Sequence, residues 1–210
     1  MEKIRRSVFE TNSSSTHSIA IVPEGWVYYG DHNNFECDSD SPYIPVMVTQ
    51  PLNVTYESKT CVIETSNYYK RDSYYFYISG DMQKIQFLVS SLSSMISVFN
   101  LDLEKHQLPY FKQVTNAIRD YLKEKYGIHY IKVVEKETYY ETRFLDELIG
   151  YGWKGSRNKY KEQEVYDIVK KVISDDRIVF TCHSDETGPY PEEIDLIPIE
   201  DLKNLIKEEK

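Results

Sequence analysis

Cysteine is scarce in this chain of 210 residues, and its spacing excludes two kinds of small-protein framework. The three cysteines, Cys37, Cys61 and Cys182, are an odd number and form no CxxC pair. A disulfide-stabilised scaffold needs paired cysteines, and a zinc ribbon needs CxxC pairs. A chain of this length buries enough apolar surface to fold without either, so we expect a single domain with an ordinary hydrophobic core.

Long apolar runs are also missing. No segment approaches the roughly 18 consecutive apolar residues that indicate a membrane span. No apolar run follows the basic residues Lys3, Arg5 and Arg6, so no signal peptide is predicted. We therefore expect a cytoplasmic protein that does not act at a membrane.

Basic charge is in deficit, with 25 Lys and Arg residues against 34 Asp and Glu residues and a net charge of -9. A protein that binds the phosphate backbone of nucleic acids usually presents a basic face. Bulk nucleic-acid binding is therefore not expected. An acidic chain can contact the basic surface of a partner protein, although simple solubility explains the same charge.

Tyrosine, in contrast, is abundant, with 19 residues against 8 Phe and 2 Trp. The tyrosine ring packs on other side chains while its hydroxyl stays hydrated, so the residue is enriched at protein interfaces. An AT-rich coding sequence would also raise the tyrosine content. The composition is compatible with an interaction role and does not require one.

The first 78 residues are rich in strands and loops, and residues 79–210 are rich in helices. Sequence patterns predict strands at 18–23, 25–29, 60–65, 129–134 and 177–182. Segment 43–49 is an edge strand or a loop, and segment 74–78 either closes the sheet or opens a helix. Apolar spacing of three and four residues predicts helices at 81–100, 109–127, 142–149, 162–174 and 199–208. The fold class predicted is α+β, a single domain in which a mixed sheet of short strands packs with about four to five helices.

Two finer expectations concern packing. Little charge follows Lys84 in the first helix, so this helix is expected to be buried on more than one side. The helix–strand–helix–strand order after residue 109 predicts that 129–134 and 177–182 lie side by side as parallel strands.

Residues 9–18, FETNSSSTHS, concentrate hydroxyl, amide, carboxylate and imidazole groups more densely than any other segment. Glu10 and His17 are candidate bases or metal ligands. A turn rich in backbone N–H and hydroxyl groups can bind phosphate, and its candidate ligand-binding residues are Asn12, Ser13, Ser14, Ser15 and Thr16. The segment has no glycine, so it is neither a P-loop nor a Rossmann turn. Asx and Ser/Thr turns that only fix the chain are the alternative.

A second polar cluster follows the strand predicted at 177–182. His183, Asp185 and Glu186 could hold a hard divalent cation or act as general bases, because loops at the carboxyl ends of strands often carry sites. A solvated loop is the alternative. The sharper hypothesis is that Glu10, His17, His183 and Asp185 converge as catalytic residues at one site. A divalent metal is the cofactor that this hypothesis allows.

Residues 150–158 contain three glycines with the spacing GxGxxG. The segment follows a predicted helix, whereas the dinucleotide fingerprint follows a strand. We interpret the match as chance and retain Lys154 and Arg157 as candidate anion contacts.

The opening run FETNSSSTHS, preceded by a few basic residues, resembles the N-terminus of small uncharacterised proteins of bacteriophages and their bacterial hosts. The resemblance covers these ten residues, with a weaker likeness at 177–188. It implies a phage or prophage origin, and hence the cytoplasm of the host cell. It implies no activity, because no activity is established for that group.

Two functional interpretations remain open. In the first, the chain is a non-enzymatic phage accessory protein that binds a host protein, for example to inhibit a host or defence factor. In the second, it binds a nucleotide or another phosphate ligand, or catalyses metal-assisted phosphoester or group transfer, through residues 10–18 and 183–188. Whether the protein is an enzyme is left undecided.

Overall fold

The fold was analysed in a computed structural model. The structure describes residues 17–22, 54–57, 59–65, 76–97, 107–135, 143–149, 159–183 and 195–208.

Strands and helices alternate irregularly along this part of the chain. The described strands are β1 (His17–Ile21), β2 (Val54–Glu57), β3 (Thr60–Glu64), β4 (Phe76–Ile78), β5 (Tyr130–Val134), β6 (Ile178–His183) and β7 (Asp195–Leu196). The described helices are α1 (Asp81–Ser97), α2 (Leu108–Tyr126), α3 (Arg143–Ile149), α4 (Glu162–Ser174) and α5 (Ile199–Glu208). The predicted α+β class is confirmed.

The described strands form two sheets. The four-stranded sheet has the order β4-β6-β1-β7, and every neighbouring pair in it is antiparallel. The three-stranded sheet has the order β2-β3-β5, with β2 antiparallel and β5 parallel to β3.

The three-stranded sheet is mixed, as predicted, but the expectation that 129–134 and 177–182 are parallel neighbours is wrong. β5 pairs with β3, and β6 lies between β4 and β1 in the other sheet. Chain order favours neighbours that are close in sequence. Here the first part of the chain supplies the partners of both strands, and a pattern within one segment does not identify a distant partner.

Helix α1 connects the two sheets. Its Gln86 Nε2 donates a hydrogen bond of 2.9 Å to the carbonyl of Glu64, at the end of β3. Its Phe87 ring lies 4.6 Å, centroid to centroid, from that of Phe180 on β6. Lys84, Gln86 and Ser90 are buried together with the apolar positions of the helix. The prediction of burial on more than one side is confirmed.

Helices α2 and α4 pack side by side and run parallel. Tyr166 on α4 donates to Asp120 on α2, and one turn later Lys170 donates to Glu124. The sequence separation is 46 residues in both pairs, so the two helices advance in the same direction. Their shared face contributes much of the apolar core, which includes Val114, Ala117, Ile118, Val165, Ile168, Val169 and Val172.

The ends of α2 follow from its sequence. Pro109 lies in the first turn, where a missing N–H costs no helical hydrogen bond. Gly127 ends the helix with a φ of 65°, a left-handed conformation that glycine adopts without strain. Its N–H donates to the Lys123 carbonyl and that of Ile128 to the Leu122 carbonyl, which satisfies the last turn.

The remaining local predictions divide into three groups. The predicted strands at 18–23, 60–65, 129–134 and 177–182 are observed to within a residue or two. Of segment 74–78, the described residues Phe76–Ile78 form β4, an edge strand of the four-stranded sheet, and the short strands β2 and β7 were not predicted. The expected strands at 25–29 and 43–49, and the loop 150–158, lie outside the described residues.

Candidate functional site

The two central strands of the four-stranded sheet bring His17 and His183 to directly opposed positions. β1 and β6 are antiparallel, and their register pairs the backbone of His17 with that of His183. Directly opposed residues of an antiparallel pair lie on one face of a sheet, with Cα atoms about 4.5–5.5 Å apart. We call this place the histidine end of the sheet.

The strand pair is irregular next to the histidines. The next paired positions are Ile19 and Phe180, so a step of two residues on β1 matches a step of three on β6. Such an extra residue is a β-bulge, which increases the local twist and is common beside functional sites.

The strands behind the histidine end are firmly packed. Ile19, Ala20 and Phe180 are fully buried. The Phe180 ring lies between Phe87 of α1 and Phe144 of α3, with centroid distances of 4.6 and 5.0 Å. The backbone at the histidine end is therefore an extension of the core.

The chain continues from the histidine end directly into both polar segments predicted to carry chemistry. Residue 16 precedes His17, and residue 184 follows His183. The other predicted site residues lie outside the described residues: Glu10, Asn12, Ser13, Ser14, Ser15, Thr16, Lys154, Arg157 and Asp185. The convergent site remains a prediction, in which the strand register fixes the positions of two of its four proposed catalytic residues.

The opposite end of the same sheet, where β6 begins, carries a network of charged groups that we call the charged end. Its first centre is Asp81, the first residue of α1. Asp81 Oδ2 accepts hydrogen bonds from the Tyr121 hydroxyl at 2.8 Å, Lys125 Nζ at 2.8 Å and the Tyr126 hydroxyl at 2.6 Å. Its Oδ1 accepts from the Met82 N–H at 2.7 Å.

These contacts explain the acidity of Asp81. Burial alone would raise the pKa of this carboxyl, but the hydrogen bonds from Lys125, Tyr126, Tyr121 and the Met82 N–H together lower it to about 2. The same carboxylate raises the pKa of Lys125 through its hydrogen bond. Burial, followed by the contact with Asp81, raises the pKa of Tyr126 to about 12.

The second centre is Lys84, one turn further along α1 and fully buried. Its Nζ donates to the carbonyls of Val172 at 3.0 Å and Asp175 at 2.9 Å. These carbonyls lie at the end of α4, where the helix dipole favours a cation. Burial lowers the pKa of Lys84 to about 8, although Asp176, Asp175 and Asp81 act in the opposite direction.

The third centre is Asp175, which follows α4. Its carboxylate accepts from the N–H, Nε and Nη2 of Arg177 at 3.0, 3.0 and 2.7 Å, and Lys171 Nζ lies 3.1 Å away. These contacts with Arg177 lead the effects that hold the pKa of Asp175 well below its usual range. The Arg177 carbonyl accepts from the Val22 N–H at 2.8 Å, which ties the turn to the end of β1.

The charged end is thus a structural junction of α1, α2, α4, β1 and β6 in which each central charge already has partners. Sequence reasoning did not find it, because its members come from four distant parts of the chain. Two signals were present: Lys84 is an isolated charge in an apolar helix, and Tyr121 and Lys125 lie one turn apart on α2.

An open groove of about 510 Å³ lies at the start of α2 and α4. Its lining residues are Leu108, Pro109, Lys112, Gln113, Asn116 and Glu162. None of them is a predicted site residue, and none belongs to β1 or β6.

Among the described residues, no group of three or more histidine, cysteine or acidic side chains is arranged to hold a metal ion. In the same part of the chain, no helix has the length and apolar character needed to cross a membrane. Comparisons with models of known protein families, with curated protein sequences and with solved structures gave no match.

Proposed function

We propose that this protein binds a phosphorylated ligand, such as a nucleotide, at the histidine end of the four-stranded sheet, with group transfer on that ligand as its reaction class. The observation that carries the proposal is the register of β1 and β6, which pairs the backbone of His17 with that of His183. Two polar segments from distant parts of the chain start from these two neighbouring positions.

The chemistry of the two segments favours an anionic ligand. Five consecutive residues, 12–16, carry amide or hydroxyl side chains and their own backbone N–H groups. Such groups bind phosphate oxygens when several of them point to one place. Lys154 and Arg157 are the proposed cationic contacts, because Arg and Lys bind phosphate through charge-assisted hydrogen bonds.

The proposed catalytic groups are two histidines and two carboxylates: His17, His183, Glu10 and Asp185. An imidazole has an unperturbed pKa of about 6.5, so it can give or take a proton near neutral pH. A carboxylate beside an imidazole stabilises its protonated form. The histidines therefore act as general acid and base, and Glu10 and Asp185 orient them.

Thermal unfolding tests the binding step. The wild-type protein is heated with nucleoside mono-, di- and triphosphates, with inorganic phosphate, and with the matching nucleosides that lack phosphate. A ligand present at 100 times its dissociation constant stabilises the folded state by about 2.7 kcal/mol. We expect a rise in melting temperature with at least one phosphorylated compound and none with its nucleoside.

Single-residue variants test where on the protein the ligand binds. His17→Ala and His183→Ala are expected to remove the ligand-induced rise. His129→Ala is the matched control, because His129 is exposed and lies beside β5 in the other sheet. A rise that persists in both site variants, or no rise with any phosphorylated compound, would contradict the proposal.

A second candidate is that the chain is a phage accessory protein that binds a host protein. Its phage origin rests on the resemblance of residues 9–18 alone. The structural observation in its favour is β5, which has only β3 as a neighbour among the described strands. Tyr130 is 68% exposed and Val133 45% exposed on this strand. A strand with unpaired backbone groups and exposed apolar side chains can pair with a strand of another protein.

The double variant Tyr130→Ser with Val133→Ser tests this candidate. The wild-type protein is expected to capture a defined host protein that the double variant does not. Ile96→Ser is the matched control, because Ile96 is an exposed apolar residue at the end of α1. Equal capture by the double variant would exclude β5 as the binding surface.

A further inference from the structure

We propose that the outer edge of β5 binds an extended segment of a partner protein in which acidic residues alternate with apolar ones. The inference rests on the second candidate function, because it concerns the strand that this candidate assigns to a partner. It goes further by naming the chemistry of the partner segment, the backbone groups that pair with it and the side chains that select it.

The backbone hydrogen bonds of β5 identify the groups that point away from β3. The Tyr130 N–H donates to the chain just before β3 at 3.1 Å, and the Val134 carbonyl accepts from the chain just after β3 at 2.9 Å. Hydrogen-bonding direction alternates along a strand, so the N–H and C=O groups of Ile131 and Val133 point to the other side. None of the described strands pairs with that side. These groups are therefore available to an added strand.

One face of β5 is apolar and only partly covered. Ile131 and Val133 are paired with Cys61 and Ile63 of β3 and share their face of the sheet. Cys61 and Ile63 are fully buried, whereas Val133 is 45% exposed. The apolar layer therefore ends in the open at Val133. A partner strand with an apolar residue at the neighbouring position extends this layer and removes the Val133 side chain from water.

The opposite face of β5 is polar and basic. It carries Tyr130, which is 68% exposed, and Lys132, which is also exposed. The exposed Lys59 precedes β3, and its carbonyl accepts from the Tyr130 N–H. Within the described part of the chain neither lysine forms an ion pair, whereas Lys125 is paired with Asp81. In a chain of net charge -9 these lysines form a local basic surface, which acidic residues on the added strand complement.

The charge of β5 also distinguishes a partner segment from a second copy of this chain. In an antiparallel pairing of β5 with itself, the register that joins the outward groups of Ile131 to those of Val133 places the Lys132 residues of both copies directly opposite each other. Like charges at directly opposed positions are destabilising. A carboxylate at that position is stabilising, so the strand favours an acidic partner segment over its own copy.

Selection from a random library of peptides of about ten residues, long enough to pair with all of β5, tests the inference with the wild-type protein as the target. We expect the selected peptides to alternate acidic with β-branched apolar residues and to lack proline within that stretch. The strongest binder is synthesised with a fluorophore, and its dissociation constant is measured by fluorescence anisotropy. Selection of no peptide, or of peptides without acidic residues, would overturn the inference.

Two variants separate the contribution of charge from that of backbone pairing. Lys132→Glu is expected to weaken binding of the synthesised peptide roughly fivefold or more, because it replaces an attractive cross-strand pair by a repulsive one. Lys112→Glu is the matched control, since Lys112 is an exposed lysine near the start of α2. Val133→Pro removes an outward N–H and no hydrogen bond to β3, and is expected to abolish binding.

Equal affinity in Lys132→Glu and the wild type would overturn the acidic character of the segment, and equal affinity in Val133→Pro would overturn strand addition. If Val133→Pro fails to fold, the exposed substitution Lys132→Glu still decides. The second candidate function fails by a different result, namely equal capture of the host protein by the double variant Tyr130→Ser with Val133→Ser. Capture that is lost in the double variant and retained in Lys132→Glu would leave β5 as the surface and refute the acidic segment.

Discussion

The two ends of the four-stranded sheet use their polar residues in opposite ways. At the charged end, Asp81, Lys84 and Asp175 already have partners within the fold. At the histidine end, the last described positions of the central strands carry His17 and His183, and two polar segments begin there.

This difference separates polar residues that fix the fold from those that we assign to a ligand. The charged end has the strongest pKa perturbations among the described residues, with Asp175 and Lys84 as examples. Perturbed pKa values often mark functional sites, but structural ion networks produce them as well. Here burial accounts for the lowered pKa of Lys84 and the contacts with Arg177 for that of Asp175. We therefore assign the charged end to stability and the histidine end to function.

The largest expected effect comes from the middle of the sheet, on which both ends depend. Phe180→Ala removes a fully buried ring that contacts Phe87 and Phe144. We expect a loss of about 3–5 kcal/mol in the free energy of unfolding, the usual cost of such a cavity. Urea unfolding followed by circular dichroism measures it. Tyr130→Ala, at an exposed ring, is the control. If one end of the four-stranded sheet unfolded in a separate transition in this variant, the two ends would not be coupled in folding.

The next largest effect on the free energy of unfolding is expected from Lys84 at alkaline pH. The folded-state pKa of Lys84 is about 8, below its ordinary value of 10.5. Between these values the unfolded chain holds a proton that the folded chain has released, so the free energy of unfolding rises with pH. We expect the wild type to gain up to about 3 kcal/mol relative to Lys84→Met from pH 7.5 to 10.5.

Urea unfolding of both proteins at several pH values measures this gain. Lys123→Met is the control, because Lys123 is an exposed lysine of α2. Parallel curves for the wild type and Lys84→Met would mean that Lys84 titrates alike in both states, and the buried junction would need revision.

A smaller effect is expected from Asp81→Asn. The pKa of this carboxyl is about 2 in the folded state, below its ordinary value of 3.8. Its contribution to stability is therefore present above pH 3.8 and is lost as pH falls through about 2. We expect a loss of about 2 kcal/mol at neutral pH. The difference between wild type and variant should shrink from pH 4 to pH 2.

The same variant tests whether the two ends of the sheet have separate roles. Asp81→Asn should lower the melting temperature without changing the rise induced by a phosphorylated ligand. Loss of that rise in Asp81→Asn would assign a ligand role to the charged end. Glu200→Gln, at an exposed carboxylate of α5, is the control for removal of one negative charge.

The smallest effect on stability is expected at the histidine end. His17→Ala and His183→Ala should each change the free energy of unfolding by less than about 1 kcal/mol, because the proposal gives both residues a role in ligand binding and none in holding the fold. Their effect should be on binding of the phosphorylated ligand. A loss as large as that of Phe180→Ala would indicate that the pair is structural.

Local patterns predicted most of the helices and long strands, because each pattern lies within one segment. Apolar spacing gave α2 and α4, and Pro109 and Gly127 gave the ends of α2 within a residue. β2 and β7 were missed, since strands of four and two residues carry too little alternation. Strand pairing was predicted wrongly for β5 and β6, because pairing depends on contacts between distant segments.

The histidine end and the charged end also differed in whether the sequence predicted them. The histidine end was predicted as part of a hypothetical site, because each of its two segments is dense in polar residues. The charged end was not found, since Asp81, Lys125 and Asp175 are single residues in separate elements and meet only after the helices pack. A search for isolated charges in apolar helices would have marked Lys84.

The topology of the four-stranded sheet sets an order of assembly. β1 ends at Ile21 and β6 begins at Ile178, and β6 is the strand that joins β1 to β4. Helices form from local contacts in microseconds, whereas pairing of distant strands is slower because a long loop must close first. During synthesis, β1 and β4 cannot pair with β6 until residues 178–183 have been translated. The pairing of the His17 and His183 backbones therefore follows the synthesis of β1 and β4, and a chain translated only as far as β5 does not yet have the pair of positions to which we assign the ligand.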